Sequence, residues 1–220
     1  MKKILKKRLG IFGGAFDPIH LGHIIPVTEI TKKHKLDIVH FLPTNISSSS
    51  KIISASTSNR VKMLHQALSD YENYIIDERE IIRGGKSYTI DTINSISDEY
   101  KNYKLYLIIG FDNLSSILQW KNFLQILEKC NIIVSRRRIF NQNNHKMSDD
   151  LNNIDKELMN CISSDLVRFH NQSYGKIYIE ATSILNISSS EVRQKLKQNQ
   201  PVSDLIPQKL NKWLLEHKVY

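Results

Sequence analysis

Leu105 to Ile109 reads Leu-Tyr-Leu-Ile-Ile, an unbroken apolar run that Gly110 stops. Such a run leaves no face for water, which suits a parallel strand covered on both sides. Parallel neighbours need long crossover connections, usually helices, so this strand commits the chain to an α/β sheet. The remaining pattern agrees. Arg8 to Phe12 reads as a first strand ending in Gly13-Gly14, and Asp37 to Pro43 as a second. Between them, Leu21 to Lys33 has helical spacing, with Ile24, Ile25, Val27 and Ile30 mainly inward. Short strands are expected at Tyr74 to Ile76 and at Glu80 to Ile82, then at Asn131 to Ser135 and Lys176 to Ile179. Helices are expected at Asn59 to Leu68 behind a Ser58 cap, and at Ile90 to Tyr100 and Phe123 to Lys129. Ser190 to Lys197 and Lys209 to His217 form a C-terminal helical part. The Ser-rich stretch Ser47 to Ser58 reads as a loop, and residues 138 to 175 as a helical insertion within a single domain spanning 1–220.

A chain of 220 residues can bury one sizeable core, and 40% hydrophobic with 24% charged residues is an ordinary globular mixture. The net charge of +9 favours anionic partners. Its basic residues are spread rather than striped, however, and Arg136-Arg137-Arg138 is a compact basic run. No nucleic-acid-binding module follows from it. Cys130 and Cys161 stand in no metal-ligand spacing, which implies two reduced thiols. The apolar stretch behind the first lysines is too short for a signal peptide, and no run is long enough to span a bilayer. The expectation is a cytoplasmic protein without a membrane partner. Nothing in the sequence speaks to an oligomeric state.

The chemistry concentrates in Gly10-Ile11-Phe12-Gly13-Gly14-Ala15-Phe16-Asp17-Pro18-Ile19-His20-Leu21-Gly22-His23. Glycines follow a strand where backbone must approach a ligand. A helix N-terminus comes next, whose unpaired N–H groups and partial positive charge suit a phosphate. His20 and His23, three apart at that start, would share one face and one anion. The segment falls at the C-terminal end of a strand, where doubly wound sheets bind ligands. Two other phosphate schemes are excluded. Phe12 breaks the dinucleotide fingerprint, and Gly85-Lys86-Ser87 lacks the first P-loop glycine because position 80 is Glu.

Together these residues resemble the H-x-G-H nucleotidyltransferase superfamily. Further segments resemble its bacterial nicotinate-nucleotide adenylyltransferase family: Asp77-Glu78-Arg79-Glu80, Ser87-Tyr88-Thr89-Ile90-Asp91-Thr92, Gly110-Phe111-Asp112-Asn113-Leu114, Trp120, and Ile187-Ser188-Ser189-Ser190-Glu191-Val192-Arg193. The ordered matches run from Gly10 to Arg193. The resemblance implies a Rossmann-like doubly wound parallel sheet of nucleotidyltransferase type. It implies transfer of AMP from ATP to nicotinate mononucleotide, with Mg²⁺ accompanying ATP and no protein-held metal.

The same resemblance implies site roles. Catalysis would fall to His20 and His23. ATP would meet Phe12, Gly13, Gly14, His20, His23, Lys51, Gly110, Asp112, Ile187, Ser188, Ser189 and Arg193. Within that set Asp112 would hold the ribose, and Gly110 would admit the base. The mononucleotide would meet Ala15, Phe16, Asn45, Tyr88, Thr89 and Trp120, with Trp120 stacked on the pyridine ring and Asn45 at the phosphate. The chain departs from the family in two places. Ser47-Ser48-Ser49-Ser50-Lys51 stands where Pro-Pro-His and a basic residue are usual, and Lys86 replaces the Pro before Ser-Tyr-Thr. Phosphopantetheine adenylyltransferase shares the first motif and the closing Ser-Ser-x-x-Val-Arg, but not the Ser87-Tyr88-Thr89 and Trp120 elements.

Overall fold

The computed structural model describes residues 6–47, 52–137, 156–183 and 185–220, without the side chain of Glu157. Eight strands are found among them: β1 (Lys7–Gly14), β2 (Ile38–Pro43), β3 (Ile46–Ser47), β4 (Tyr74–Ile76), β5 (Lys86–Ser87), β6 (Tyr103–Gly110), β7 (Asn131–Arg137) and β8 (Ile177–Thr182). Six form one sheet in the order β4-β2-β1-β6-β7-β8, and every pairing in it is parallel. The short strands β3 and β5 pair separately, also in parallel.

Helices cover both faces, as the Leu105–Ile109 run requires. Leu105, Leu107 and Ile109 pack with Ile90, Ile93 and Ile96 of α4 (Thr89–Glu99) and with Phe123 and Ile126 of α6 (Phe123–Lys129). Tyr106 and Ile108 face the other way, towards the core of Ile24, Val27 and Ile30 from α1 (Leu21–His34). Met63 and Leu64 of α2 (Thr57–Leu68), Val192 of α9 (Ser189–Lys197) and Leu210 of α10 (Gln208–His217) complete that layer. Each fully buried side chain of this kind contributes about 1.5–3 kcal/mol of transfer free energy. The expected C-terminal helical part is thus one wall of a core rather than an appendage.

Four expectations are refined. Residues 79–83 form a helix, α3 (Arg79–Arg83), not a strand. Asp77 Oδ1 accepts from the Arg79 backbone N–H at 3.1 Å, a side-chain turn that starts a helix in place of a ladder. Ser56, not Ser58, caps α2, its hydroxyl accepting from the Asn59 N–H at 3.2 Å. Ser47 belongs to β3 rather than to a loop. In the 138–175 stretch, α7 (Lys156–Met159) and α8 (Leu166–Asn171) are helical, while residues 138–155 lie outside the described residues. Two short turns were not expected: α5 (Phe111–Leu114) and a 3₁₀ turn at Ile117–Gln119.

The strand order places the site. From β1 the chain winds outward through β2 to β4, then returns to β6 on the opposite side and continues to β7 and β8. The reversal between β1 and β6 is the position where doubly wound sheets bind ligands. Their register ends with Ile11 opposite Leu107. Beyond it, Phe12 to Gly14 pair only with β2, and Ile108 to Gly110 only with β7. The sheet therefore splits at its C-terminal edge, with Gly13-Gly14 on one lip and Gly110 on the other.

Candidate active site

The β1 lip leads into a tight turn. Phe16 takes the left-handed conformation, φ 48°, and the Asp17–Pro18 peptide is cis. Phe16 is 2% exposed and packs with Phe12 at 5.7 Å between ring centroids and edge-on to His23 at 5.5 Å. A left-handed backbone is uncommon for a bulky residue and is held only where surroundings fix it. Here a wall of aromatic rings does so, Phe41 included.

The turn delivers His20 as the N-cap of α1 rather than just inside the helix. His20 and His23 stack, with centroids 3.8 Å apart and an interplanar angle of 29°. His23 Nδ1 accepts from the His20 backbone N–H at 3.3 Å. The stack depends on Gly22, since a Cβ there would come within 3.0 Å of His20 Nδ1. Both rings thus stand at the helix terminus where backbone N–H groups lack intrahelical partners.

The segment 187–193 closes over this turn from the far end of the sequence. Ser188 caps α9, its hydroxyl accepting from the Glu191 N–H at 3.1 Å. Ser189 donates its hydroxyl to the Pro18 carbonyl at 2.9 Å, and Arg193 donates to the Asp17 carbonyl at 2.6 Å. The Ile187 carbonyl lies over Gly22. Two helix N-termini, a histidine pair and a guanidinium therefore converge at one lip of the split.

On the other lip Gly110 is the N-cap of α5, and Asp112 is exposed in that helix's first turn. A Cβ at Gly110 would collide with the Asp112 carboxylate. A side chain at position 110 would therefore displace the Asp112 carboxylate from its present place.

The expected mononucleotide residues form a second group. Asn45 donates its side-chain amide to the Gly85 carbonyl at 3.1 Å, and its backbone N–H to Ser87 Oγ at 3.0 Å. With the β3–β5 ribbon, this ties Asn45 to the segment that supplies Tyr88 and Thr89. Tyr88 is the N-cap of α4. Lys121 lies 4.5 Å over the Tyr88 ring and 3.2 Å from Asp91, which fixes the segment bearing half-buried Trp120 beside the start of α4. Ala15 is held through its carbonyl by Arg60. Lys51 lies outside the described residues.

Three supports have no role assigned by the motifs, although Asp17 and Asp77 lie within them. Arg60, 1% exposed, donates to the carbonyls of Ala15 at 2.8 Å and Thr44 at 2.7 Å, joining the turns after β1 and β2. Burial lowers its pKa, an effect that nearby Asp17 offsets in part. Its sequence signal is position, since Arg60 occupies the face of α2 otherwise lined by Met63, Leu64 and Ala67. The second support is Asp77, which binds His40 at 2.7 Å and Arg79 at 2.6 Å. Burial alone would raise its carboxyl pKa; hydrogen bonds from His40 and from the Arg79 backbone and guanidinium hold it below the usual range. The third is Asp17, described below.

A parallel sheet that opens at its reversal onto a histidine-bearing helix start defines a nucleotidyltransferase. The model of the cytidylyltransferase-like family matches residues 11–195, and the chain belongs to that class. Within it the chain belongs to the nicotinate-nucleotide adenylyltransferases. A relative so named from Psychromonas ingrahamii is 34% identical over 99% of both chains. One from Borreliella burgdorferi is 34% identical over 97% of this chain and 96% of its own. Among solved structures, the nicotinic acid mononucleotide adenylyltransferase of Plasmodium falciparum complexed with NaAD shares the fold at a TM-score of 0.69. Its identity is 19%, and 97% of each chain is covered.

Proposed function

We propose that this chain transfers AMP from ATP to nicotinate mononucleotide, releasing pyrophosphate and forming nicotinate adenine dinucleotide, as a cytoplasmic step of NAD synthesis. The observation that carries this reading is the closure of Ser189 and Arg193 onto the Pro18 and Asp17 carbonyls beside stacked His20 and His23. That arrangement assembles anion-binding groups from two distant segments at the split between β1 and β6.

In the proposed reaction a phosphate oxygen of the mononucleotide attacks the α-phosphorus of ATP in line. The new P–O bond forms as the bond to the β-phosphate's bridging oxygen breaks. The attacking phosphate is already ionised, so no general base is needed. His20 and His23 neutralise charge that builds at the α-phosphate, and the N-terminus of α9 with Ser188, Ser189 and Arg193 holds the leaving phosphates. Phe12, Gly13, Gly14 and Ile187 border that position, and Lys51 adds charge to it. Gly110 and Asp112 take the adenosine. Asn45 with Ala15 and Phe16 receives the acceptor phosphate, while Trp120, Tyr88 and Thr89 receive its ring. Mg²⁺ travels with ATP, whose phosphates supply the oxygen ligands a hard cation needs. Among the described residues no group of three or more His, Cys, Asp or Glu could cage it.

The test is direct. The chain is incubated with ATP and nicotinate mononucleotide, and pyrophosphate and dinucleotide are measured in parallel. Equimolar products are expected. Pyrophosphate formed only with phosphopantetheine as acceptor would overturn the substrate assignment.

A further inference from the structure

Asp17 is 3% exposed, yet neither of the two guanidinium groups beside it forms a hydrogen bond to its carboxylate. Arg60 is committed to the Ala15 and Thr44 carbonyls. Arg193 NH1 stands 3.7 Å from Asp17 Oδ2, outside hydrogen-bond reach, and donates instead to the Asp17 carbonyl oxygen. Its NH2 reaches Ser190 Oγ at 3.2 Å. Among the described residues three other donors meet the carboxylate: the Ser54 N–H at 2.6 Å on Oδ2, the Ala55 N–H at 2.9 Å on Oδ1, and the Tyr220 hydroxyl at 2.8 Å on Oδ1.

The third donor matters for Arg193. Carboxylate and guanidinium prefer a two-pronged pairing that uses both carboxylate oxygens. With Oδ1 occupied by the Ala55 N–H and the Tyr220 hydroxyl, that pairing is blocked, and the Arg193 fork stays on the Asp17 carbonyl and Ser190 Oγ. We infer that Tyr220 is a positioning residue for ATP: by filling Asp17 Oδ1 it keeps Arg193 from being captured by the carboxylate and leaves the guanidinium to the phosphates. The inference rests on the phosphate role given to Arg193 in the proposed function. Burial and the adjacent Asp17 charge push the Tyr220 pKa far above the ordinary phenol range, so the ring retains its proton throughout the working pH range. The Tyr220 hydroxyl also lies 3.7 Å from Met63 Sδ, a weak contact that a phenylalanine ring gives up together with the Asp17 bond.

The experiment is a double-mutant cycle read by calorimetric ATP affinity, with Tyr220→Phe, Arg193→Ala and the pair. Thermal unfolding of each variant sets a temperature at which all are folded. Nicotinate mononucleotide binding serves as the internal control. Arg193→Ala is expected to weaken ATP about tenfold, the scale of one ordinary coupling. Tyr220→Phe should weaken ATP several-fold without moving mononucleotide affinity, and the pair should be no weaker than Arg193→Ala alone. An unchanged ATP affinity in Arg193→Ala would overturn the phosphate role itself. If that variant loses affinity, while Tyr220→Phe does not or the two losses multiply, the Tyr220 inference alone falls. Equal losses for ATP and mononucleotide in Tyr220→Phe would mark a general structural role and count against it as well.

Discussion

Arg60 and Ala15 lie on different elements, yet a guanidinium that is 1% exposed donates to the Ala15 carbonyl at 2.8 Å. The same group holds the Thr44 carbonyl, so one buried cation fixes both turns that border the histidines. Replacing it with Met fills the volume but leaves two half-buried carbonyls without their charged donor. Hydrogen bonds from charged groups are worth about 1.5–3 kcal/mol each. Arg60→Met should cost at least about 2 kcal/mol, and Arg60→Lys should recover little, because an ammonium cannot bridge two fixed acceptors as a planar fork does. Chemical denaturation of the three proteins measures both losses. Equal stability of Arg60→Met and the parent would disprove the account.

His20→Ala and His23→Ala should each lower kcat by about a hundredfold or more, the scale of one lost contact to developing charge. The stacked pair lies at the helix terminus against Phe12 and Phe16, and circular dichroism, expected to stay parental, checks that each variant is folded. Steady-state kinetics decides. A folded variant with near-parental turnover removes that histidine from the reaction.

The acceptor should carry nicotinate rather than nicotinamide. Tyr88 and Thr89 open α4, and the N–H groups of a first helical turn favour a carboxylate over an amide, whose own NH₂ would face donors. A preference of about a hundredfold or more in kcat/KM is expected. Trp120→Ala should raise the KM for the mononucleotide far more than that for ATP. Side-by-side assays with the two mononucleotides check the first point, and matched efficiencies would rule the carboxylate argument out.

Stability should fall on mild acidification through His170. Burial, then the charges of Arg8, His34 and Lys104, push its pKa from 6.5 down to about 3. Its ring pairs with the Tyr106 hydroxyl at 2.9 Å. Above the unfolded value both states are neutral and nothing is lost. Below it the unfolded chain takes a proton that the folded chain refuses, so stability declines from about pH 6.5 towards the folded value. The His170→Phe variant should show a shallower loss of melting temperature between pH 7 and 5 than the parent. Parallel curves would show that the group does not govern this window.

The sequence announces the parallel sheet because Leu105–Ile109 has no polar alternation, and it announces the histidine turn because glycines and a helix start are local signals. The supports are less legible. Asp77 bends the following residues into a helix through a side-chain hydrogen bond, which a pattern of apolar residues does not encode. The bond from Ser189 to Pro18 joins residues 171 positions apart, and only the closing motif hinted at it. Arg60 was visible as a cation on an apolar helix face, but its partners are backbone carbonyls, which carry no residue identity. The resemblance implies a phosphate at Asn45, but no sequence pattern announces the bond from its amide to the Gly85 carbonyl that ties it to the Tyr88 segment.

The bond between Asp17 and Tyr220 also sets a schedule for the molecule's birth. A ribosome makes the carboxylate 203 residues before its phenol partner. At roughly 5–20 residues per second, the nascent turn waits at least about ten seconds for that donor. For most of that interval the carboxylate exists without Arg193, and for all of it without Tyr220. The turn at Asp17 is therefore translated long before it can mature, and a growing chain should gain ATP affinity only after α10 and Tyr220 behind it have emerged and docked.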